Sequence, residues 1–480
     1  MASSERLPAG APASAGAVRP IGSRWELFVD DWLLARCAGA ALRLHPPVPQ
    51  EVVFSFDAPW EGPTCGYVTV LTFGGEHRMY YRGWQLPLNE YVQSTGVATS
   101  RDGIVWERRV LGHVPWGDER ANNLVWRGDR SHNFTPFVDT NPAATDQDRF
   151  KAVSSVRIKA PAEWARGLMT YDSPDGYHWR ESAPAPVVAD GKFDSQNLAF
   201  WDAAHQAYVA YYRDVQPGET GTPVRAIRRA SSPDFLHWTP GTLLDYGDAP
   251  IQHLYTNTVT PYPRANRLYL AFPKRYVAGR GVFTTADFPD ARLESGLTDG
   301  VFMSSRDGRR WDRHFLEAYL RPGRDPRNWT DRSNEMAWGM LQTAPDELSL
   351  YWLEHFHHPS CRLRRGTVRL DGFGSLHAGF TGGEALTHPL LFTGGELTLN
   401  LATSAAGSAR VEVQDSGGTP IPGYTLAESL ELYGDTLNRP VRWQGDTALG
   451  PLAGQAVRLR FVLRDADLFA FRIGEPGSAA

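Results

Sequence analysis

The chain has 480 residues, 42% hydrophobic and 12% aromatic, which is too long for one ordinary domain and ample for two cores. Its formal net charge of −5 comes from 49 Lys and Arg against 54 Asp and Glu, with both signs interspersed. No basic field invites nucleic acid, and no apolar stretch is long enough to span a bilayer. Three scattered cysteines, Cys37, Cys65 and Cys361, exclude a disulfide framework or a zinc knuckle.

Residues 1–22 are rich in Ala, Ser, Pro and Gly and lack the apolar run of a secretory signal. They are expected to be a disordered leader on a cytoplasmic protein. "RWELFVDDWLL" (24–34) follows and reads as a strand, on which Asp30 and Asp31 are structural. Beyond it one seven-residue pattern, S-x-D-(G/F)-x-x-W, occurs four times: Ser100–Trp106, Ser173–Trp179, Ser232–Trp238 and Ser305–Trp311. Internal repeats of this kind decide architecture before any other feature.

Each box is preceded and followed by a short strand, so it is a hairpin turn. Its Asp and Ser accept hydrogen bonds from turn amides, its Gly allows a positive φ, and its Trp fills the gap between sheets. These residues are read as scaffold, not chemistry. Two more strands precede each box: "CGYVTVLTF" and "HRMYYRGW", "NFTPFVDTNP" and "RFKAVSSV", "NLAFWD" and "AYVAYYRD", "YTNTVTPYP" and "RLYLAFPKRY". A fifth set lacks the box: "MAWGMLQTA", "LSLYWLEHF" and "CRLRRGTVRL".

The expectation is an all-β chain with a five-bladed β-propeller over 23–373, closed by "RWELFVDDWLL" as the outer strand of the last blade. From 374 to 480 the boxes stop. Alternating apolar and polar residues with Gly-rich turns predict a small β-sandwich domain.

In such blades the start of the first strand and the end of the second lie on one rim. The strand starts bring Glu61, His132, Asn133, Asp194, Gln196, Asn197, His253, Tyr255, Asn257, Asp331, Arg332, Asn334 and Glu335 there. The strand ends bring Arg82, Arg213, Asp214, Lys274, Arg275, Glu354, His355 and His357. Carboxylates mixed with His, Asn, Gln and Tyr suit a polyhydroxylated ligand. His132 and His253 are read as partners of sugar hydroxyls, and Trp338 completes the substrate-binding candidates. The "HFHH" run (355–358) lacks a second cluster that would make it a zinc site. Asp139 reads as a turn staple. No phosphate loop and no G-x-S-x-G elbow is present.

Five blades with a carboxylate at the mouth of the first inner strand resemble the glycoside hydrolase clan of families 43 and 32. The box is similar to the blade turn of those enzymes and to the sialidase Asp-box, and the trailing sandwich resembles the family 32 module. The runs "HNFTPFVDTNP", "FDSQNLAFWD", "LYTNTVTPYP" and "TDGVFMSSRDG" resemble bacterial family-32-like glycosidases. The family's Asn-Asp-Pro-Asn and Arg-Asp-Pro runs are replaced by "WEGPT" and "FDSQN", so fructan hydrolysis is not implied.

The resemblance implies a hydrolase with two carboxylic acids, exo-acting on an oligosaccharide or small glycoside, with a furanoside among the candidates. It puts Glu61 where the nucleophile or base stands. Asp194, across the channel, is the candidate partner, followed by Asp331 and Glu335. A non-catalytic sugar-binding propeller is the first alternative, and a phosphorylase or transglycosidase the second. Arg82, Arg213, Lys274 and Arg332 suit phosphate or a uronate. No cofactor is expected. The sequence is compatible with a structural calcium or sodium ion and with a homo-oligomer.

Overall fold

A computed structural model describes residues 16–85, 93–157, 166–219, 221–288, 296–475 and 477. The chain is all-β, and the helical pieces among the described residues are single 3₁₀ turns. Of the expected leader, residues 1–15 lie outside the described residues, whereas Arg19–Gly22 is a strand parallel to Leu390–Phe392.

Small antiparallel sheets follow in chain order. Gly66–Phe73, Glu76–Gly83, Ser94–Ser100 and Leu124–Arg127 form the first. Thr135–Val138, Phe150–Arg157, Arg166–Ser173 and Arg180–Glu181 form the second. Leu198–Asp202, Ala207–Pro217, Pro223–Ser232 and Thr242–Leu243 form the third. The fourth unit is split into two sheets because its inner strand breaks between His253–Leu254 and Thr260–Pro261, where Thr258 takes a left-handed φ of 44°. Leu341–Ala344, Glu347–Glu354, Arg362–Arg369 and Val48–Ser55 form the fifth. The first and fifth inner strands meet directly: Trp338 donates its amide to the Val68 carbonyl and Val70 donates to the Trp338 carbonyl, each at 2.8 Å.

The closing strand corrects the expectation. Val48–Ser55 pairs with Arg362–Arg369, while Glu26–Leu27, Leu34–Ala38 and Ala40–Leu44 join a ten-stranded sheet built around Glu396–Asp415 and Val457–Gly474. An outermost strand donates few ladder bonds, so it tolerates Pro49, which hides it from a pattern search. The strand after the first box is also displaced: Glu107 makes one bridge to Thr99, and Leu124–Arg127 takes the outer place.

In all four boxes the Asp side chain accepts from two turn amides, and in the three with Gly the Ser side chain accepts from the Gly amide. Ser100 Oγ accepts from Gly103 N at 2.9 Å, and Asp102 Oδ1 accepts from the amides of Ile104 and Val105 at 2.8 and 2.9 Å. Gly103, Gly176 and Gly308 take φ of 72°, 79° and 70°, and Phe235 takes 71° at the same place. A tyrosine on the second strand of the preceding unit reaches across to three of these turns. Tyr351 OH donates to the Gly103 carbonyl at 2.6 Å, Tyr80 OH to Gly176 at 3.0 Å and Tyr211 OH to Gly308 at 2.8 Å. The second unit has Val153 opposite Thr170 where the first has Tyr80 opposite Val97. There the Phe235 ring, buried against Phe137 and Tyr208, fills the space instead.

Candidate functional site

All five units deliver side chains to one cavity of about 370 Å³. Tyr67, Arg82 and Trp84 come from the first, His132 and Arg166 from the second, and Lys192, Asp194 and Arg213 from the third. Tyr255 comes from the fourth and Arg332 from the fifth. The register explains the convergence: Gly66 pairs with Arg82, and Asn197 Oδ1 accepts from Arg213 N at 3.1 Å, so strand starts and strand ends share a rim.

The backbone here is held in sparsely populated conformations. Tyr67, Phe193, Arg332 and Asn334 have φ of 52°, 55°, 64° and 61°, and His355 and His357 have 60° and 67°. Left-handed residues other than glycine cost free energy and persist where the surroundings fix them. Tyr67 and Arg332 owe their direction into the cavity to these turns.

Five cationic side chains line the cavity against one carboxylate. Arg213 pairs with Asp194, whose side chain is 44% exposed. Arg332 Nε lies 3.2 Å from Asp331 Oδ2. Arg82 is 4% exposed, donates to the Thr64 carbonyl at 2.9 Å, and is sandwiched between Tyr67 and Trp84, its guanidinium carbon 4.4 and 4.9 Å from their rings. Its Nε has no acceptor among the described residues. Tyr67 OH and Tyr255 OH lie 3.4 Å apart and both donate to the Asp194 carbonyl. Burial pushes the Tyr67 phenol well above its usual range. Burial also pushes His132 well below the ordinary imidazole range, and Arg82, Arg166 and Arg332 add to that.

The structure sorts the expected site residues. Asp194, Arg82, Arg213, His132, Tyr255 and Arg332 line the cavity. Glu335 and Lys274 lie beneath it as a buried ion pair, with Tyr67 N donating to Glu335 Oε1 at 2.9 Å. Asp331, 3% exposed, sits between Arg332 and His357.

Glu61 is not a lining residue. It is fully buried, with Arg108 bidentate on it at 2.9 and 2.8 Å, Ala58 N at 3.0 Å and Tyr81 OH on Oε1. Four donors occupy its oxygens, so it fastens the first unit and presents no lone pair to a ligand.

The amides are also structural. Asn133 and Asn197 donate to the Phe193 and Ser195 carbonyls, and Asn334 donates to those of Thr298 and Asn328. Gln196 donates to Thr69 Oγ1 at 3.2 Å, and Trp338 Nε1 to the Val259 carbonyl at 2.8 Å, both inside the core. Glu354 is gripped by Arg362 and Arg364. His253 accepts from Arg225 N at 3.1 Å, outside the lining. His355 and His357 lie past the strand end and diverge, one to Asp325 at 2.9 Å and the other to Asp331 at 3.6 Å.

Tyr67, Trp84, Arg166 and Lys192 escaped the sequence reading. Tyr67 and Lys192 had a usable signal, since Tyr67 is the third residue of the strand "CGYVTVLTF" and Lys192 lies two residues before Asp194.

No protein-family model matches the chain, and no curated protein matches it. Solved structures similar to it include an N-acetylgalactosamine deacetylase from F. plautii, in complex with blood group B trisaccharide, at 10% identity and TM-score 0.44, covering 68% of this chain and 96% of the other. A glycosyl hydrolase from Bacteroides ovatus matches at 14% identity and TM-score 0.42, covering 73% of this chain and 99% of that one. An α-L-arabinofuranosidase from Fusarium graminearum matches at 14% identity and TM-score 0.39, covering 67% and 98%. Glycosidases, the class that the sequence resembles, are thus among the solved structures similar to the chain.

Proposed function

We propose that the five units, from Val48 to Arg369, are the blades of a propeller, and that the sheet joining Arg19–Leu44 to the C-terminal strands is a sandwich that buttresses it. The cavity then lies at the blade rim. Its function is to cleave a glycosidic bond in an acidic saccharide. One observation carries this reading: five cationic side chains and the rings of Tyr67, Trp84 and Tyr255 surround a single carboxylate. Guanidinium forks suit a carboxylate, and aromatic faces suit a sugar ring. A small cavity fits a chain end better than a chain interior, which favours exo action.

For hydrolysis, Asp194 is the acid that meets the substrate, and Glu335 is a second carboxylate beneath the cavity, held back by Lys274. A phosphorylase is the second reading, favoured by the same cations; a phosphate requirement for turnover identifies it.

Calorimetric titration tests the anionic preference. Uronate oligosaccharides are expected to bind at least about tenfold more tightly than their neutral counterparts, since a charged hydrogen bond is worth about 1.5–3 kcal/mol. Arg82→Met should remove most of that preference, and added salt should weaken it. Equal affinity for acidic and neutral saccharides would falsify the reading.

A further inference from the structure

A cavity built for two-acid hydrolysis should present two carboxylates, and this one presents Asp194 alone, already held by Arg213. Beside the Lys192 ammonium, the other proton-transfer groups that line it are one imidazole and two phenols: His132, Tyr67 and Tyr255. Resting on the acidic-saccharide reading above, we propose that the cavity breaks the bond by β-elimination at a 4-linked uronate, His132 taking the C5 proton and Tyr67 protonating the leaving oxygen.

The geometry assigns the roles. His132 is 7% exposed and lines the cavity. Its Nδ1 lies 3.1 Å from Gln93 Oε1, which accepts the ring proton and leaves Nε2 as the basic nitrogen. Nε2 is itself buried with no close hydrogen bond among the described residues, and the ring's remaining polar neighbour is the Asp194 backbone. Burial, then Arg82, Arg166 and Arg332, keep the imidazole neutral, and the Asp194 backbone acts the other way, in favour of the protonated ring. Tyr67 keeps its proton because its phenol is buried, and its ring stands edge to face with His132 at 6.1 Å between centroids. Arg82 lies on the face of that tyrosine with a buried Nε donor to spare. A guanidinium there neutralises the substrate carboxylate, which lowers the cost of the negative charge that develops when C5 loses its proton.

The step balances without a co-reactant. The C5–H bond breaks and its proton goes to His132 Nε2. The electron pair becomes the C4–C5 double bond. The C4–O bond breaks with its pair on the leaving oxygen, which takes the Tyr67 proton. The proton on His132 then returns to the Tyr67 oxygen through solvent, restoring both groups. No water is consumed, and the products are a new alcohol and an unsaturated uronate.

The test uses the full chain with 4-linked oligosaccharides of galacturonate, glucuronate and mannuronate, read by ultraviolet absorbance of the conjugated double bond beside a reducing-end assay. Both signals should rise together in wild type. Tyr67→Phe and His132→Ala should each lower the rate by about a hundredfold or more, the size of general acid–base terms. Calorimetric affinity for the same oligosaccharides should change only a few-fold, which shows that the variants are folded. Reducing ends without absorbance would mean hydrolysis and overturn the elimination while leaving the acidic substrate standing. Tight binding of uronates with no cleavage overturns it as well. Faster cleavage of neutral sugars overturns the acidic-substrate reading itself.

Discussion

Beneath the cavity, Glu335 is fixed from two sides, by the Tyr67 amide and by the Lys274 ammonium, and both side chains of the ion pair are buried. Burial lowers the Lys274 pKa, with Glu335 pulling it back up. A pair of this kind gains little over two apolar groups, but removing one member strands the other charge out of water, at a cost of about 3–5 kcal/mol. Lys274→Met is therefore expected to lose about that much stability in urea denaturation, and Lys274→Met with Glu335→Gln to recover most of it. A double variant as unstable as the single would show that packing of the lysine stem, not its charge, holds the floor. The same pair marks the limit of what the sequence discloses about the site. The repeat located the rim and so found Asp194, Arg82, Arg213, His132, Tyr255 and Arg332. It could not tell a lining carboxylate from a buried one. Glu61 and Glu335 occupy strand starts just as Asp194 does, yet both are occupied by cations supplied from distant parts of the chain, Arg108 and Lys274. Residues aimed by a left-handed backbone, such as Tyr67, are equally hard to place from a strand pattern.

The seven-residue box acts as a joint between neighbouring sheets. Within the box, Ser and Asp satisfy turn amides, and the outward-facing carbonyl at its Gly position accepts the phenol of the preceding unit's tyrosine. Tyr80, Tyr211 and Tyr351 are each at most 1% exposed, so the carbonyls they satisfy have little access to water. The same carbonyls also accept from the indole N–H of Trp106, Trp179 and Trp311, so removing one hydroxyl takes one of two donors and costs the net worth of a hydrogen bond, about 0.5–1.5 kcal/mol. Tyr80→Phe and Tyr211→Phe should each lose an amount in that range, and their effects should add, because they belong to separate joints. Denaturation of the two singles and the double checks this; losses near zero would mean that ring packing alone makes the joint. The box was the most legible feature of the chain because its contacts are local: Ser, Asp and Trp act within seven residues. It gave the order of the units and the rim. The fifth unit's outer strand was not legible, since Val48–Ser55 and Arg362–Arg369 are separated by some three hundred residues and Pro49 interrupts the strand pattern. "RWELFVDDWLL" had the stronger pattern, but its charges belong to another contact.

That contact ties the molecule together. Arg306, the second residue of the fourth box, leaves its own unit to meet the N-terminal segment: Nη1 lies 2.6 Å from Glu26 Oε2 and Nε 3.0 Å from Asp30 Oδ2. Glu26–Leu27 in turn pairs with Val457–Gly474 of the ten-stranded sheet. A box residue thus joins the fourth unit to the sheet that contains both ends of the described chain. Glu26 and Asp30 are 0% and 2% exposed, and burial raises the Glu26 pKa against the pull of Arg306 and Arg24. Asp312 nearby is pushed up to about 7 by burial first and then by Asp30. Without the guanidinium, acidic groups would crowd a buried seam with only Arg24 remaining on Glu26. Arg306→Met is accordingly expected to cost about 3–5 kcal/mol and to divide one cooperative calorimetric transition into two, the first being loss of the ten-stranded sheet against the five smaller units. Glu26→Gln and Asp30→Asn added to that variant should bring the transitions back together, because the repulsion that separates them is gone. If Arg306→Met instead unfolds in one transition with a loss below about 1 kcal/mol, the size of an exposed ion pair, the seam is held by the apolar packing of Trp25, Leu27 and Phe373, and the charges only decorate it.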